Sequence, residues 1–118
     1  MNTSYVYQSA QVGEFRNAVL TGAGPASYSR TTGDVVYNPG ANEYINACPV
    51  CVDQTGAYVL LPRPTTAGNI RAGATSPSQS GWTFHWYTVS TSGIAAEVTD
   101  ATDLSAKVVQ FGCHVSQL

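Results

Sequence analysis

Short apolar runs broken by glycine, proline, asparagine and serine recur along the whole chain, and almost none of it keeps a helical period. Runs of that kind at close spacing predict an all-β sandwich or barrel. The pattern places strands at "SYVYQ", "EFRNAVL", "DVVYN", "EYINACPVCV", "AYVLLP", "GWTFHWYTVS", "IAAEVT" and "KVVQFGCHVS", with "GNIRAG" as a further short one. Turn chemistry separates them. Asn38-Pro39-Gly40 combines a fixed proline φ with a permissive glycine, and Asp53-Gln54-Thr55-Gly56 suits a four-residue hairpin loop. Only "TDATDLSAKVV" tolerates helix, with Asp100 or Thr102 capping a short turn and Leu104 packing inward.

The two longest strands carry the clearest alternation. Trp82, Phe84 and Trp86 share one face of "GWTFHWYTV", opposite Thr83, His85, Tyr87 and Val89. In "KVVQFGCHV", Val109, Phe111, Cys113 and Val115 oppose Val108, Gln110, Gly112 and His114. The Trp and Phe face and the Val, Phe and Cys face are expected to be the two inner walls of one core. The expected fold is therefore a compact antiparallel β-sandwich or barrel of about eight short strands. It forms a single domain over residues 13–118, preceded by an N-terminal arm at residues 1–12.

Composition changes this picture in one respect. Only 10% of the 118 residues are charged, against roughly 25% in ordinary soluble domains. Ser, Thr and Gly together supply 35 positions. A hydroxyl-rich surface desolvates more cheaply than a charged one, which favours a protein packed against neighbours. The competing expectation is a monomeric extracellular β domain with a hydroxyl-rich face. Net charge is −2, and the five basic residues (Arg16, Arg30, Arg63, Arg71, Lys107) fall in separate segments. No basic stripe is present to neutralise several phosphates, so no nucleic-acid partner is expected. "MNTSYVYQSAQVGEF" has neither the basic nor the apolar region of a secretory signal, and no run is long enough for a spanning helix. The expectation is a chain made and used without translocation, with no membrane partner.

The most suggestive chemistry is "CPVC", residues 48–51. Its spacing and proline resemble a glutaredoxin active-site motif, in which a helix N-terminus activates the first thiol. Here a β-type run follows instead of a helix, which argues against redox catalysis. A zinc site would need four ligands, and the only further candidates are Cys113 and His114, adjacent on a strand and so facing opposite ways unless Gly112 bends it. In an extended "ACPVCV" Cys48 and Cys51 also face apart, so at most one belongs to the core. Three cysteines make no complete disulfide framework. The favoured expectation is three small core fillers, with no metal and no cofactor.

Catalytic constellations are equally sparse. His85 and His114 sit within strands, where a hydrogen-bonded structural role is the simpler reading, and no Gly-x-Ser-x-Gly elbow occurs. The seven carboxylates are scattered, and "EVTDATD" lacks the glycine and spacing of a calcium loop. A small enzyme would need a pocket bringing His85 or His114 to a carboxylate. The aromatics Tyr5, Tyr7, Trp82, Trp86 and Tyr87 could instead form a stacking platform, as in carbohydrate-binding β modules. Tyr5 and Tyr7 share a face of a polar N-terminal segment with little to pack on, so Tyr5, Val6 and Tyr7 are the candidate partner-binding residues of the arm.

Taken together, the β pattern, low charge, Ser/Thr/Gly-rich composition and aromatic polar arm resemble the small decoration, or cement, proteins of tailed-bacteriophage heads. The resemblance is one of style across the whole chain and rests on no diagnostic motif. It implies a non-enzymatic homotrimer made in the host cytoplasm and carried on the outer capsid surface of the virion. Its partners would be further copies of itself and the major capsid protein of the same particle. A carbohydrate- or receptor-binding module, such as a fibre or tail component, is the alternative.

Overall fold

The computed structural model describes residues 1–10, 15–65 and 78–117, and these form nine strands with no helix. In chain order they are β1 (Thr3–Gln8), β2 (Phe15–Ala23), β3 (Asp34–Tyr37), β4 (Glu43–Ile45) and β5 (Cys51–Val52). They continue as β6 (Tyr58–Pro64), β7 (Gln79–Val89), β8 (Ala95–Glu97) and β9 (Val108–Gln117). Two antiparallel sheets result. One has the order β1-β2-β9-β4; the other runs β3-β7-β6-β5, with β8 pairing the far half of β7. The all-β expectation holds, and of the sandwich and barrel alternatives the two packed sheets correspond to the sandwich. The "GNIRAG" strand lies outside the described residues.

The inner walls follow the alternation of the two long strands. Val109, Phe111, Cys113 and Val115 of β9 are buried, as are Phe84 and Trp86 of β7, and Trp82 packs half-buried against the same core. Phe84 and Phe111 meet edge to face across the sheets, with ring centroids 5.4 Å apart at 78°, a favoured geometry for two quadrupoles. Leu20, Val36, Ile45, Leu60 and Leu104 fill the space around them. Leu104 packs inward as expected, but through a turn rather than a helix. Asp103 accepts from the Ser105 amide at 2.9 Å and Asp100 accepts from the Arg30 amide at 2.7 Å. Asp103 thus caps an amide of its own loop, which competes with helix formation locally, whereas Asp100 ties the turn to the distant loop at Arg30.

Backbone hydrogen bonds stitch both open sides of the sandwich. On one side the Gln54 amide donates to the Val108 carbonyl at 2.8 Å, and Asp53 bridges Val109, so the β5–β6 hairpin joins β9. The expected loop at residues 53–56 makes this possible. Its Asp53 carboxylate accepts from the Thr55 hydroxyl and from the Thr55 and Tyr58 amides. On the other side the Tyr37 amide donates to the Met1 carbonyl at 3.0 Å, and the Thr3 hydroxyl donates to the Tyr37 carbonyl at 2.7 Å. The N-terminal residues thereby lie against β3 of the opposite sheet.

Two expectations change here. "EYINACPVCV" is not one strand: β4 belongs to the first sheet and β5 to the second, with residues 46–50 crossing between them. Pro49 has no amide to offer a ladder, and the sheet change falls at that position. Residues 1–8, expected as an arm loose until something ties them down, are tied down within the chain as the edge strand β1. Met1 is buried, and its amino group donates to Asp34 Oδ1 and to the Val35 carbonyl, each at 2.6 Å.

Trp86 ties these features together, since its indole Nε1 donates to Asp34 Oδ2 at 3.0 Å from a fully buried position. Trp86→Ala is expected to lower stability by about 3–5 kcal/mol, because it opens a cavity and removes the donor to the buried Asp34 Oδ2. Chemical denaturation reads this as a lower midpoint; a midpoint equal to the parent's would disprove the inner-wall assignment of β7.

Candidate functional site

The docking residues expected in the arm fall on the outer edge of the first sheet. β1 pairs β2 with Tyr5 opposite Leu20 and Tyr7 opposite Val19, which leaves Val6 as an extra residue in a bulge. The bulge separates the two tyrosines that simple alternation puts on one face. Tyr5 is half-buried against the core, its hydroxyl donating to Glu43 Oε2, with the Arg16 guanidinium 5.7 Å from its ring. Burial pushes its phenol above the ordinary value, and the bond to Glu43 adds to this. Tyr5 thus anchors β1 to its own domain. Val6 and Tyr7 remain 53% and 60% exposed. Sequence alternation gave no sign of a further exposed aromatic on the same sheet, Phe15, which opens β2, pairs with Ser116 and is 52% exposed.

The cysteines come together in part. Cys48 and Cys113 line a shallow, largely apolar depression of about 370 Å³ together with Phe15, Pro49 and His114. Cys51 is half-buried against the same core from the β5 side. The expectation that at most one of Cys48 and Cys51 reaches the core assumed an extended segment, and the crossover at residues 46–50 removes that assumption. All three are free thiols. Burial pushes Cys51 up to about 12 and Cys113 up to about 11, and it pushes Cys48 up further. These are the reverse of the electropositive, exposed surroundings that make a thiolate nucleophilic. Among the described residues, no three His, Cys, Asp or Glu side chains are placed to hold a metal ion. Cys113 is buried and His114 exposed, on opposite faces of β9.

His85 has the richest surroundings of the candidate residues. Though on the outer face of β7, it is buried, because the loop at residues 25–33 covers it. Gly33, at φ +69°, lies so close that a Cβ there would stand 2.8 Å from His85 Nε2, so the loop can seat on the ring only with glycine at this point. His85 Nδ1 is 2.9 Å from Glu97 Oε1. The Tyr28 hydroxyl donates to the same oxygen at 2.9 Å and accepts from the Trp86 amide at 3.1 Å. Burial pushes Glu97 up, but the bonds from His85 and Tyr28, with the charge of Arg30, outweigh it and hold the carboxyl below its ordinary value. Tyr28 is fully buried, and sequence reading missed it within a Gly- and Ser-rich loop. A lone large aromatic in such a loop was the available signal. Of the β7 aromatics considered for a stacking platform, Trp86 is interior, Trp82 packs half-buried against the core, and Tyr87 lies half-buried on the other face with its hydroxyl accepting from Arg63 Nη2 at 3.0 Å.

Three expectations follow from these surroundings. The native thiols should react with iodoacetamide at pH 8 at least about a hundredfold more slowly than in the urea-unfolded protein, given burial and raised pKa values. Cys48→Ala with Cys51→Ala should keep the fold at a loss of roughly 1–3 kcal/mol. Fast alkylation of the folded protein would contradict the filler role. Glu97, depressed on folding, adds stability that is full above its ordinary value of 4.5 and is lost as pH falls through the folded value. Glu97→Gln should therefore flatten the fall in denaturation midpoint between about pH 6 and about pH 3, whereas an identical acid limb in both proteins would exclude the network as its source.

The chain matches no family model, no curated protein and no solved structure.

Proposed function

We propose that this protein is a non-enzymatic structural protein of a tailed-phage virion, decorating the outer capsid surface where capsid subunits meet. The observation that carries the reading is the placement of Val6 and Tyr7, two large apolar side chains more than half exposed on an edge strand whose backbone is firmly held. Burying them against a neighbour gains apolar contact without the cost of ordering a loose segment. Phe15 on β2 and the low-charge, hydroxyl-rich composition extend the same support. The partners in this reading are further copies of the chain, as a homotrimer, and the major capsid protein of the same particle. Its mechanism is mass action: a protein that binds only the assembled lattice stabilises it by its differential affinity.

Deleting the N-terminal segment is a poor test, since it removes a paired strand and the Asp34 partner along with Tyr7. Val6→Lys with Tyr7→Ser tests the surface alone. Both sites are exposed, so the denaturation midpoint should shift by no more than about 0.5 kcal/mol equivalent. Native mass measurement and co-sedimentation with virus-like particles should show trimer formation or particle binding weakened at least about tenfold, or roughly 1.4 kcal/mol. Undiminished assembly and particle binding by the variant would reject β1 as the docking surface. Parent protein that stays monomeric, and sediments with a polysaccharide instead of the particle, would favour the carbohydrate- or receptor-binding alternative.

A further inference from the structure

A second surface gathers hydrogen-bond donors rather than apolar groups. The pairing registers set Val35 of β3, Thr83 of β7 and Arg63 of β6 abreast on the outer face of the second sheet. His85 follows two residues along on the same face. With Arg30, Thr65 and Gln79, these residues line a pocket of about 550 Å³. Arg30 and Arg63 both border this concavity, and among the described residues no acidic side chain lines it. Glu97 stays behind His85, where Nδ1 and the Tyr28 hydroxyl occupy its Oε1.

Both guanidinium groups are held in place by neutral acceptors. Arg30 Nε donates to the Val98 carbonyl at 3.0 Å and its Nη2 to the Glu97 carbonyl at 2.8 Å, while Arg63 donates to the Tyr87 hydroxyl. Neither forms an ion pair among the described residues. The Thr83 hydroxyl on the same wall donates to the Arg63 carbonyl at 3.4 Å, which ties β7 to β6 beneath the pocket. Fixed cationic donors are the chemistry of oxyanion recognition, in which charge-assisted bonds are about twice as strong as neutral ones.

We infer that this pocket binds the oxyanion group of a small ligand, with Arg30 and Arg63 as its charged anchors. A phosphate group and the carboxylate of an acidic sugar share the required chemistry. The site makes no use of the β1 surface, so it stands or falls independently of the decoration role.

Amide-detected NMR titration with inorganic phosphate, and separately with glucuronate, tests this at constant ionic strength. Saturable shifts confined to the pocket residues are expected for at least one probe, with a dissociation constant of about 1 mM or tighter. Binding of phosphate alone assigns a phosphate ligand, and binding of glucuronate alone assigns a carboxylate. Arg63→Gln should weaken that binding at least about tenfold, whereas Lys107→Gln, which removes the same charge elsewhere, should leave it unchanged. Arg30→Gln provides a second variant, and each is read only where its spectrum stays dispersed like the parent's. Absence of saturable shifts with both probes would overturn the inference, as would equal weakening by Arg63→Gln and Lys107→Gln.

Discussion

A buried carboxylate has to be paired, and the pairing of Asp34 organises this molecule. Asp34 is 2% exposed at the start of β3. Burial pushes its carboxyl up, and the Met1 ammonium and the Trp86 indole N–H oppose that push without cancelling it. An isolated charge in such a place would cost several kcal/mol, so the three groups are mutually required. The indole fixes the depth of the largest core side chain, and the ammonium fixes the start of β1 against β3. One carboxylate thus couples the centre of the core to the seam between the two sheets. Its pH dependence opposes that of Glu97: a raised carboxyl favours folding below its ordinary value and loses that contribution as pH rises through the folded value.

That coupling bears on what the surface has left to offer. Closing the seam consumes the N-terminal segment structurally: Met1 and Tyr5 face inward, and Val6 and Tyr7 are the large apolar side chains of β1 that remain outward. Attachment through this edge therefore begins from an ordered strand. Little conformational entropy remains to be lost on binding, so a modest apolar area goes further there than it would on a loose tail.

The long alternating strands were legible because period two is enforced wherever one face is buried. β7 and β9 satisfied it with Trp and Phe against Val, Phe and Cys, and both inner walls followed from that alone. Asp53-Gln54-Thr55-Gly56 was readable for a different reason: a carboxylate accepting from amides two and five residues on is local chemistry. What stayed hidden depended on distant residues. Nothing near "CPVC" marks a change of sheet except Pro49, because the choice between β9 and β6 as partner is tertiary. His85 read as an outward residue since the loop that covers it is 52 positions away at Gly33. Tyr5 and Tyr7 parted company through a bulge, which inserts one residue without any required sequence signature. The pocket at Arg30 and Arg63 is also assembled by register, from side chains 33 positions apart, and no linear motif could carry it.

The same bulge constrains how β1 meets a partner. An unpaired strand edge is a template for adding a further strand, and natural proteins blunt such edges with bulges that interrupt the ladder. At Val6 the ladder is interrupted in the middle of a six-residue strand. An incoming strand would find at most two or three regular pairing positions on either side, too few for a register set by backbone hydrogen bonds. Val6 itself stands more than half exposed in the bulge, a feature that increases the local twist of a strand. In the decoration role we propose, recognition at this edge therefore falls to the side chains of Val6 and Tyr7 entering a complementary surface, not to strand addition. A surface of that kind distinguishes an ordered shell from an isolated β edge, because it offers apolar contact and shape without offering a free ladder. Selectivity of this sort is what a protein attaching only to an assembled lattice requires.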